Sequence, residues 1–348
     1  MKKKINKNSL IIIMPILLFG IIILFFLREV KDVSLRDHAE RKNFLFGSAI
    51  NSQYIKNDNL YTEIARKEFN IITPENELKM KVIHPAIDTY NFSRADEVVN
   101  FAKENGQQIR GHTLIWSESL PDWLEHGNYT ELQMRQLLKD HIQTVVTRYK
   151  GEINVWDVVN EAFDDNGNFV NSKLLDIIGP EYIELAFQWA YEANPNALLF
   201  YNDDDIEGLN PHSNAVYNLV RDLKNRGVPI HGVGFQMHKN LSENLNYESI
   251  SKNIERYGKI GVQVHITEMD INIDKKGSTL ESNLSEQANM YSNILHTCLN
   301  SDNICTAMVT WGFIDKYTWL GKEGKPLIYN EDYQKKLAYK GLLKELDD

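Results

Sequence analysis

The fold is decided by short apolar runs such as the one that opens VWDVVNEAFDDNG, residues 155–167. From Val155 onward every residue is apolar except Asp157, until the polar pair Asn160 and Glu161 follows. Near-continuous hydrophobicity of this length is typical of a parallel β-strand that is covered on both faces. We therefore predict a buried strand that ends in an amide and a carboxylic acid.

Similar runs recur along the chain, and helical patterns separate them. The strand-like runs, with this one included, occupy residues 44–50, 69–76, 108–116, 153–161, 198–203, 230–238, 262–270 and 306–312. The clearest helical pattern covers residues 130–151, and others lie at residues 93–106, 180–194, 214–227 and 285–299. Strands that alternate with helices in this way predict an α/β fold. Eight of them at this length indicate a closed (β/α)8 TIM barrel rather than a doubly wound sheet.

A hydrophobic segment in residues 1–30 precedes the single domain that we expect at residues 35–348. Four lysines come first, and no charged residue then occurs from Leu10 to Leu27. As a helix this run would span roughly 27 Å, about the thickness of a bilayer core. The preceding lysines predict a membrane anchor that leaves the domain outside the membrane. A cleaved signal segment is the alternative, although no small-residue cleavage site follows Leu27. Both interpretations predict an extracytoplasmic location.

The composition excludes several classes of protein. The chain has 348 residues, is 43% hydrophobic and carries a formal net charge of -10. Lys and Arg form no stripe beyond the first seven residues, which argues against nucleic-acid binding. Because metal-ligand spacings and nucleotide or cofactor motifs do not occur, we predict no metal and no cofactor. No obligatory protein partner is evident either.

The two cysteines, Cys298 and Cys305, lie close together near the end of the chain. An even number of cysteines in an exported domain favours a disulfide. Two buried free thiols are the alternative that the sequence leaves open.

Polar and aromatic side chains stand at the carboxyl ends of the predicted strands, where the loops of a barrel form its active site. Any one of them could cap a helix or fill the core, so the indication of a site comes from the position that they share. In chain order they are Glu75, Asn76, Lys79, His112, Trp116, Asn160, Glu161, Asn202, Asp203, Gln236, His238, Glu268, Asp270, Trp311 and Trp319.

Glu161 and Glu268 follow the fourth and seventh strands, so they face each other across the predicted barrel mouth. Cleavage of a glycosidic bond needs such a pair, because one acid protonates the leaving oxygen while the other acts from the opposite side. The remaining groups suit a sugar, since amides bind hydroxyls and tryptophan faces stack on pyranose rings. Asn160 can bind a sugar 2-hydroxyl, a contact that strengthens in the transition state. The sequence therefore predicts a glycosidase.

Six stretches closely resemble glycoside hydrolase family 10, the endo-β-1,4-xylanases, and occur in the family's order over about residues 40–345. They are TPENELKM, RGHTLIW, WDVVNEAF, GVGFQMH, ITEMDI and WGFIDKYTWL. The resemblance implies a (β/α)8 barrel that hydrolyses xylan with retention of configuration. It also supports the disulfide between Cys298 and Cys305, because the family has a similar short bridge before the last strand.

The resemblance further implies a role for each site residue. Glu161 matches the acid/base and Glu268 matches the nucleophile. We expect His238 and Asp270 to support the ionised form of Glu268. Glu75, Asn76 and Lys79 match contacts to the sugar two positions before the scissile bond. The residues that match contacts around the sugar under attack are His112, Trp116, Asn160, Gln236, His238, Trp311 and Trp319.

The chain departs from the family at three places. Ser119 stands where a glutamine usually contacts sugar, Asp204 where a tyrosine is usual, and Met80 where tryptophan is common. These changes leave two alternatives open. One is a non-catalytic carbohydrate-binding barrel at the cell surface, and the other is a related retaining β-glycanase acting on short xylo-oligosaccharides or another β-glycan.

Overall fold

Eight parallel strands close into a barrel within the part of the chain that the structure describes. The structure is a computed structural model that describes residues 33–273 and 277–348. The barrel strands are β1 (Leu45–Ile50), β2 (Ile71–Pro74), β3 (Gln108–Trp116), β4 (Val155–Asn160), β5 (Leu198–Asp203), β6 (Gly232–Phe235), β8 (Gln263–Asn272) and β9 (Cys305–Thr310). Each pairs in parallel with the next, β6 pairs with β8, and β9 returns to β1. The prediction of a (β/α)8 barrel is confirmed.

Helices connect the strands and cover the outside of the barrel. They are α1 (Leu35–Arg41), α2 (Ser52–Asn57), α3 (Asn59–Glu68), α4 (Met80–Ile83), α5 (Ser93–Glu104), α6 (Asp122–Glu125), α7 (Glu131–Arg148), α8 (Lys173–Ile178), α9 (Glu181–Ala193), α10 (Pro211–Asn225), α11 (Tyr247–Lys259), α12 (Leu280–Leu299) and α13 (Leu337–Asp347). Helix α7 begins with a capping box, in which the side chains of Thr130 and Gln133 each accept the other's backbone N–H. Helix α12 begins five residues earlier than predicted, because Thr279 caps it by accepting from Ser282 N–H.

The sixth predicted strand is divided in the structure. It becomes β6 and a short strand β7 (His238–Asn240), which pairs with β8. Met237, between the two, has a left-handed backbone with φ 67. That conformation cannot continue a strand, and the Met237 N–H donates instead to Glu207 Oε1 at 2.9 Å. The break brings His238 out of the β6 line and against β8.

The strand register sets one row of residues at the same height in the barrel wall. Trp116 pairs with Asn160, Asn160 with Asn202, and Asn202 with Gly234. Because parallel neighbours in register direct their side chains to the same face, this row places polar groups of three strands side by side. Glu161 follows directly after it.

Two further sequence predictions concern the ends of the chain. Cys298 and Cys305 form a disulfide, with Cα atoms 5.1 Å apart, so the alternative of free thiols is wrong. The hydrophobic run from Leu10 to Leu27 lies outside the described residues, and the membrane anchor stays a prediction. Within residues 33–273 and 277–348 no helix is long and apolar enough to span a bilayer.

Candidate active site

The carboxyl ends of the barrel strands surround a cleft of about 420 Å³. Every residue predicted to contact sugar or to react with it lines this cleft, and Glu118 and Asp204 line it as well. Asp270 lies behind the cleft wall and is completely buried. The lining residues predicted from the sequence are Glu75, Asn76, Lys79, His112, Trp116, Asn160, Glu161, Gln236, His238, Glu268, Trp311 and Trp319.

Glu161 is held by three hydrogen-bond donors. Its Oε1 accepts from Asn160 Nδ2 and from Gln236 Nε2, each at 2.7 Å. Its Oε2 accepts from Trp116 Nε1 at 2.8 Å. Burial, together with the like charges of Glu268 and Asp204, nevertheless raises the pKa of Glu161 to about 7. Near neutral pH this carboxyl group is therefore available as a proton donor.

Glu268 is surrounded by groups that favour its ionised form. Its Oε1 accepts from Asn202 Nδ2 at 2.7 Å and lies 3.8 Å from His112 Nδ1, while Oε2 lies 3.4 Å from His238 Nε2. Burial alone would raise the pKa of Glu268, but the electrostatic effects of His112 and His238 outweigh it and the pKa is lowered. A buried carboxylate with this environment is available as a nucleophile.

His238 joins Glu268 to the buried carboxylate of Asp270. Its Nδ1 lies 3.0 Å from Asp270 Oδ2, and that oxygen also accepts from Trp319 Nε1 at 2.8 Å. Burial lowers the pKa of His238, but Asp270 and Glu268 together raise it to about 10. The imidazolium is therefore the stable form, and its charge lies between two carboxylates.

Asn202 connects the two glutamates, a role that the sequence did not indicate. Its Nδ2 donates to Glu268 Oε1 and to Asn160 Oδ1, each at 2.7 Å, and Asn160 in turn donates to Glu161. Thr267 Oγ1 donates to Asn202 Oδ1 at 2.7 Å and thereby determines which way the amide points. The only sequence signal for Asn202 was its place at a strand tip.

A second polar network lies below the cleft, inside the barrel. His112 Nδ1 is 3.1 Å from Asp157 Oδ2, which also accepts from Arg110 Nε at 2.9 Å. Arg110 and Asp157 are almost completely buried, and Arg110 Nη1 further contacts His265 Nδ1 at 2.9 Å. Sequence reasoning missed this network, because Arg110 and Asp157 are charged residues within apolar runs. It fixes the position of His112 beside Glu268.

On the β2 side of the cleft, a chain of hydrogen bonds holds three polar groups in position. Lys79 Nζ donates to Asn76 Oδ1 at 2.9 Å, and Asn76 Nδ2 donates to Glu75 Oε1 at 3.0 Å. The Lys79 ammonium also lies 5.0 Å from the centre of the Trp116 ring. Trp319 is 59% exposed, so one of its faces is accessible to a ligand.

Ser119, Asp204 and Met80, which depart from the family pattern, differ in whether they reach the cleft. Ser119 is buried and does not line the cleft, because the 3-10 turn Ser117–Ser119 directs it inward. Its hydroxyl has no hydrogen-bond partner among the described residues. Glu118, its neighbour, lines the cleft instead, and so does Asp204. Met80 is buried.

One group of side chains in the described residues has the spacing of a metal site. Ligand atoms of Asp203, Asp204 and His212 lie within 4.8 Å of one another. However, Asp203 Oδ2 already accepts from Tyr201 Oη at 2.5 Å and contacts His212 Nε2 at 3.2 Å. Asp203 and His212 already bind one another, so these two residues are better described as part of an internal hydrogen-bond network.

Comparisons with known proteins place this cleft in a family. Residues 34–345 match the model of glycosyl hydrolase family 10. Endo-1,4-beta-xylanase B of Thermotoga neapolitana is 42% identical over 315 residues, which are 89% of this chain and 90% of that protein. The beta-1,4-xylanase of Dictyoglomus thermophilum is 37% identical over an alignment that covers 98% of this chain and 99% of that protein.

Solved structures that resemble this chain are xylanases as well. Xylanase 10B of Thermotoga petrophila RKU-1, solved in complex with xylobiose, has a TM-score of 0.87 at 42% identity and covers 92% of this chain and 98% of its own. Xylanase 10B of Thermotoga maritima has a TM-score of 0.87 at 44% identity and covers 90% of this chain and 98% of its own. The chain therefore belongs to glycoside hydrolase family 10 and is a glycoside hydrolase.

Proposed function

We propose that the protein is an endo-1,4-β-xylanase that hydrolyses internal bonds of xylan with retention of configuration. The observation that carries the proposal is the difference between the two glutamates of the cleft. The pKa of Glu161 is raised to about 7 and that of Glu268 is lowered, so one is a proton donor and the other an anion at the same pH. The xylanases among the relatives and the xylobiose complex support xylan as the substrate.

In the first step Glu268 is the nucleophile. Its carboxylate oxygen forms a bond to the anomeric carbon while the glycosidic C–O bond breaks, and the bonding electrons pass to the leaving oxygen. Glu161 transfers its proton to that oxygen, so the shortened chain leaves as a neutral alcohol. The product is a glycosyl ester of Glu268 and an ionised Glu161.

In the second step the ionised Glu161 acts as a base. It removes a proton from a water molecule, whose oxygen forms a bond to the anomeric carbon as the ester bond to Glu268 breaks. Glu268 regains its charge and Glu161 its proton. Two displacements at one carbon leave the product with the configuration of the substrate.

The remaining cleft groups bind the sugar. Asn160 is held by Asn202 and donates to Glu161, and these contacts support its assignment to the hydroxyl next to the anomeric carbon. Glu75, Asn76 and Lys79 offer a fixed set of donors and acceptors for the sugar on the non-reducing side. We assign ring stacking to Trp311 and Trp319, whose rings flank His238.

The test is hydrolysis of xylan together with the configuration of the first product. We expect the purified domain to release reducing ends from xylan and xylo-oligosaccharides, and proton NMR to show the β-anomer first. Glu268→Ala should abolish turnover while its circular dichroism spectrum stays unchanged. Binding of xylan without release of reducing ends would favour a carbohydrate-binding barrel. Faster hydrolysis of another β-glycan would change the substrate, and an initial α-anomer would exclude retention.

We also propose that the domain acts outside the cytoplasm, attached through the segment from Leu10 to Leu27. The proposal rests on the lysines and the uncharged run of the sequence, and a disulfide is stable in an oxidising compartment. Fractionation of expressing cells tests it. Activity in the membrane fraction supports an anchor, activity in the medium supports cleavage, and activity in the cytosol contradicts both.

A further inference from the structure

The cleft contains a carboxylate, Asp204, that forms no bond and transfers no proton in the proposed reaction. It follows β5 directly, is partly exposed and lines the cleft near Glu161, whose ionisation it disfavours. None of the ion pairs in the described part of the chain includes Asp204. Burial and the like charge of Asp205 raise the pKa of Asp204, so above that pKa its charge is presented to whatever occupies this part of the cleft.

The order of the strands shows which part of a substrate would meet Asp204. Glu161 follows β4 and Glu268 lies on β8, so the two residues divide the barrel mouth into two halves. One half consists of β3, β2, β1 and β9 and holds Glu75 and Lys79, while β5 and β6 form the other half. If the first half holds the non-reducing side, as the proposed function has it, Asp204 lies on the leaving-group side.

The cations near Asp204 are already paired with other carboxylates. His238 lies between Glu268 and Asp270, and His212 Nε2 contacts Asp203 Oδ2 at 3.2 Å. Lys239 is almost completely buried, and its Nζ contacts Asp205 Oδ1 at 2.5 Å, Glu207 Oε2 at 3.3 Å and Glu243 Oε2 at 3.7 Å. Three carboxylates around one ammonium leave an excess of negative charge.

This excess continues beyond Asp204 into an adjoining cavity of about 380 Å³. Asp205, the next residue, lines that cavity, as do three further acids and the paired Lys239. The charged and titratable residues of its wall are Asp165, Asp205, Glu207, His212, Lys239 and Glu243. An anionic group on a sugar in this direction would meet like charge, in surroundings that screen it less than bulk water does.

We propose that Asp204 makes the enzyme discriminate against substrates that carry a carboxylate on the leaving-group side of the scissile bond. Xylan chains with uronic acid branches at that place are the corresponding natural class, and neutral chains are the preferred one. The inference rests on the proposed function, since it needs the cleft to cleave β-xylosidic bonds. It adds to that function the kind of decoration, an anionic one, that the leaving-group side excludes.

Two aryl β-xylobiosides that differ by one charge test the proposal. The para-carboxyphenyl compound carries an anion on the leaving group, and the para-carbamoylphenyl compound is its neutral analogue. We compare the ratio of their kcat/KM values between the wild type and Asp204→Asn at fixed pH. Intrinsic differences between the two phenols cancel in this comparison. Glu63→Gln, which removes an exposed carboxylate from the outer helix α3, is the matched control.

We expect Asp204→Asn to shift the ratio toward the anionic compound by about three- to tenfold, as expected for two unit charges several ångströms apart. Glu63→Gln should leave the ratio unchanged, and salt should reduce discrimination by the wild type, because 1 M salt screens beyond about 3 Å. Equal ratios in wild type and Asp204→Asn, with the neutral compound hydrolysed by both, would overturn this inference alone. Failure of the wild type to hydrolyse either compound or xylan would overturn the proposed function as well.

Discussion

Glu161 and Glu268 are the same residue type in the same cleft, but their neighbours move their pKa values in opposite directions. Burial acts on both and favours the neutral acid. Around Glu161 the like charges of Glu268 and Asp204 add to burial, while around Glu268 the imidazoles of His112 and His238 outweigh it. The division of roles is therefore an electrostatic property of the neighbouring residues.

These pKa shifts predict a bell-shaped dependence of kcat/KM on pH. Activity should fall as pH rises through about 7, because Glu161 loses the proton that it must donate. At low pH, activity should fall only below the usual glutamate pKa of 4.5, because the pKa of Glu268 is lowered. Rates on a neutral xylo-oligosaccharide across the pH range measure both limbs, and full activity well above pH 7 would contradict the assignment of Glu161.

Two variants should move the alkaline limb in opposite directions. Asp204→Asn removes a like charge, so ionisation of Glu161 becomes easier and the limb should move to lower pH. Trp116→Phe removes the donor to Glu161 Oε2, which favours the ionised form, so the limb should move to higher pH. The measurement is the alkaline pKa of kcat/KM. Shifts of the same sign in both variants would contradict this account.

Removal of the proton donor should depend on the leaving group. Glu161→Ala should lower kcat/KM on xylan by about 10²- to 10⁴-fold, the usual contribution of general acid catalysis. The loss should be much smaller for an aryl xylobioside with an acidic phenol, which leaves without a proton. Glu63→Gln serves as the control for loss of a carboxylate. Equal losses on both substrates would show that Glu161 does not protonate the leaving oxygen.

Among the strands and helices, the site depends on neighbouring strands whose side chains meet around Asn202. Asn202 of β5 lies between the side chains of β4 and β8, and β6 contributes Gly234 beside it. A Cβ atom on Gly234 would lie 2.0 Å from Asn202 Oδ1. The glycine is needed because the amide that links both glutamates occupies the space of a side chain.

Gly234→Ala should therefore impair catalysis while it leaves the fold intact. The added methyl group displaces Asn202, and with it Asn160 and Glu268, and a displacement near 1 Å can lower the rate about 10²-fold. The measurement is kcat together with thermal unfolding. The matched control is Thr130→Ala, which removes the cap of α7 and should lower the free energy of unfolding by about 1 kcal/mol with kcat unchanged. An unchanged kcat in Gly234→Ala would contradict the role of Asn202.

In the molecule as a whole, the catalytic cleft and the disulfide lie at opposite ends of the barrel. The cleft lies at the carboxyl ends of the strands, whereas Cys305 begins β9 at its amino end and bonds to Cys298 in the last turn of α12. The disulfide should therefore affect stability without affecting the reaction.

The double variant Cys298→Ala with Cys305→Ala tests this separation. A bridge that closes a loop with a sequence separation of 7 should contribute about 2–3 kcal/mol to the free energy of unfolding. Urea unfolding of the variant should show that loss, while kcat on xylan should remain that of the wild type. Reduction of the wild type with a thiol reagent provides an independent comparison. A large fall in kcat at full folding would show that the two ends are coupled.

Much of the architecture could be predicted because parallel barrel strands are buried on both faces. The limits of β3 and β5 coincide with the apolar runs at residues 108–116 and 198–203. The division of the sixth run could not be predicted, because the left-handed backbone of Met237 depends on its bond to Glu207, a residue from another loop.

The barrel, the family and most of the residues at the barrel mouth could be predicted from the sequence, because periodic hydrophobicity and local motifs carry that information. The packed barrel was needed to see how the two glutamates differ and that Asn202 links them. It was also needed to see that Ser119 faces inward while Glu118 and Asp204 face the cleft, and that Arg110 and Asp157 pair beneath it. These properties depend on burial and on distances of a few ångströms between residues far apart in the chain. Such distances arise only when the strands pack in register.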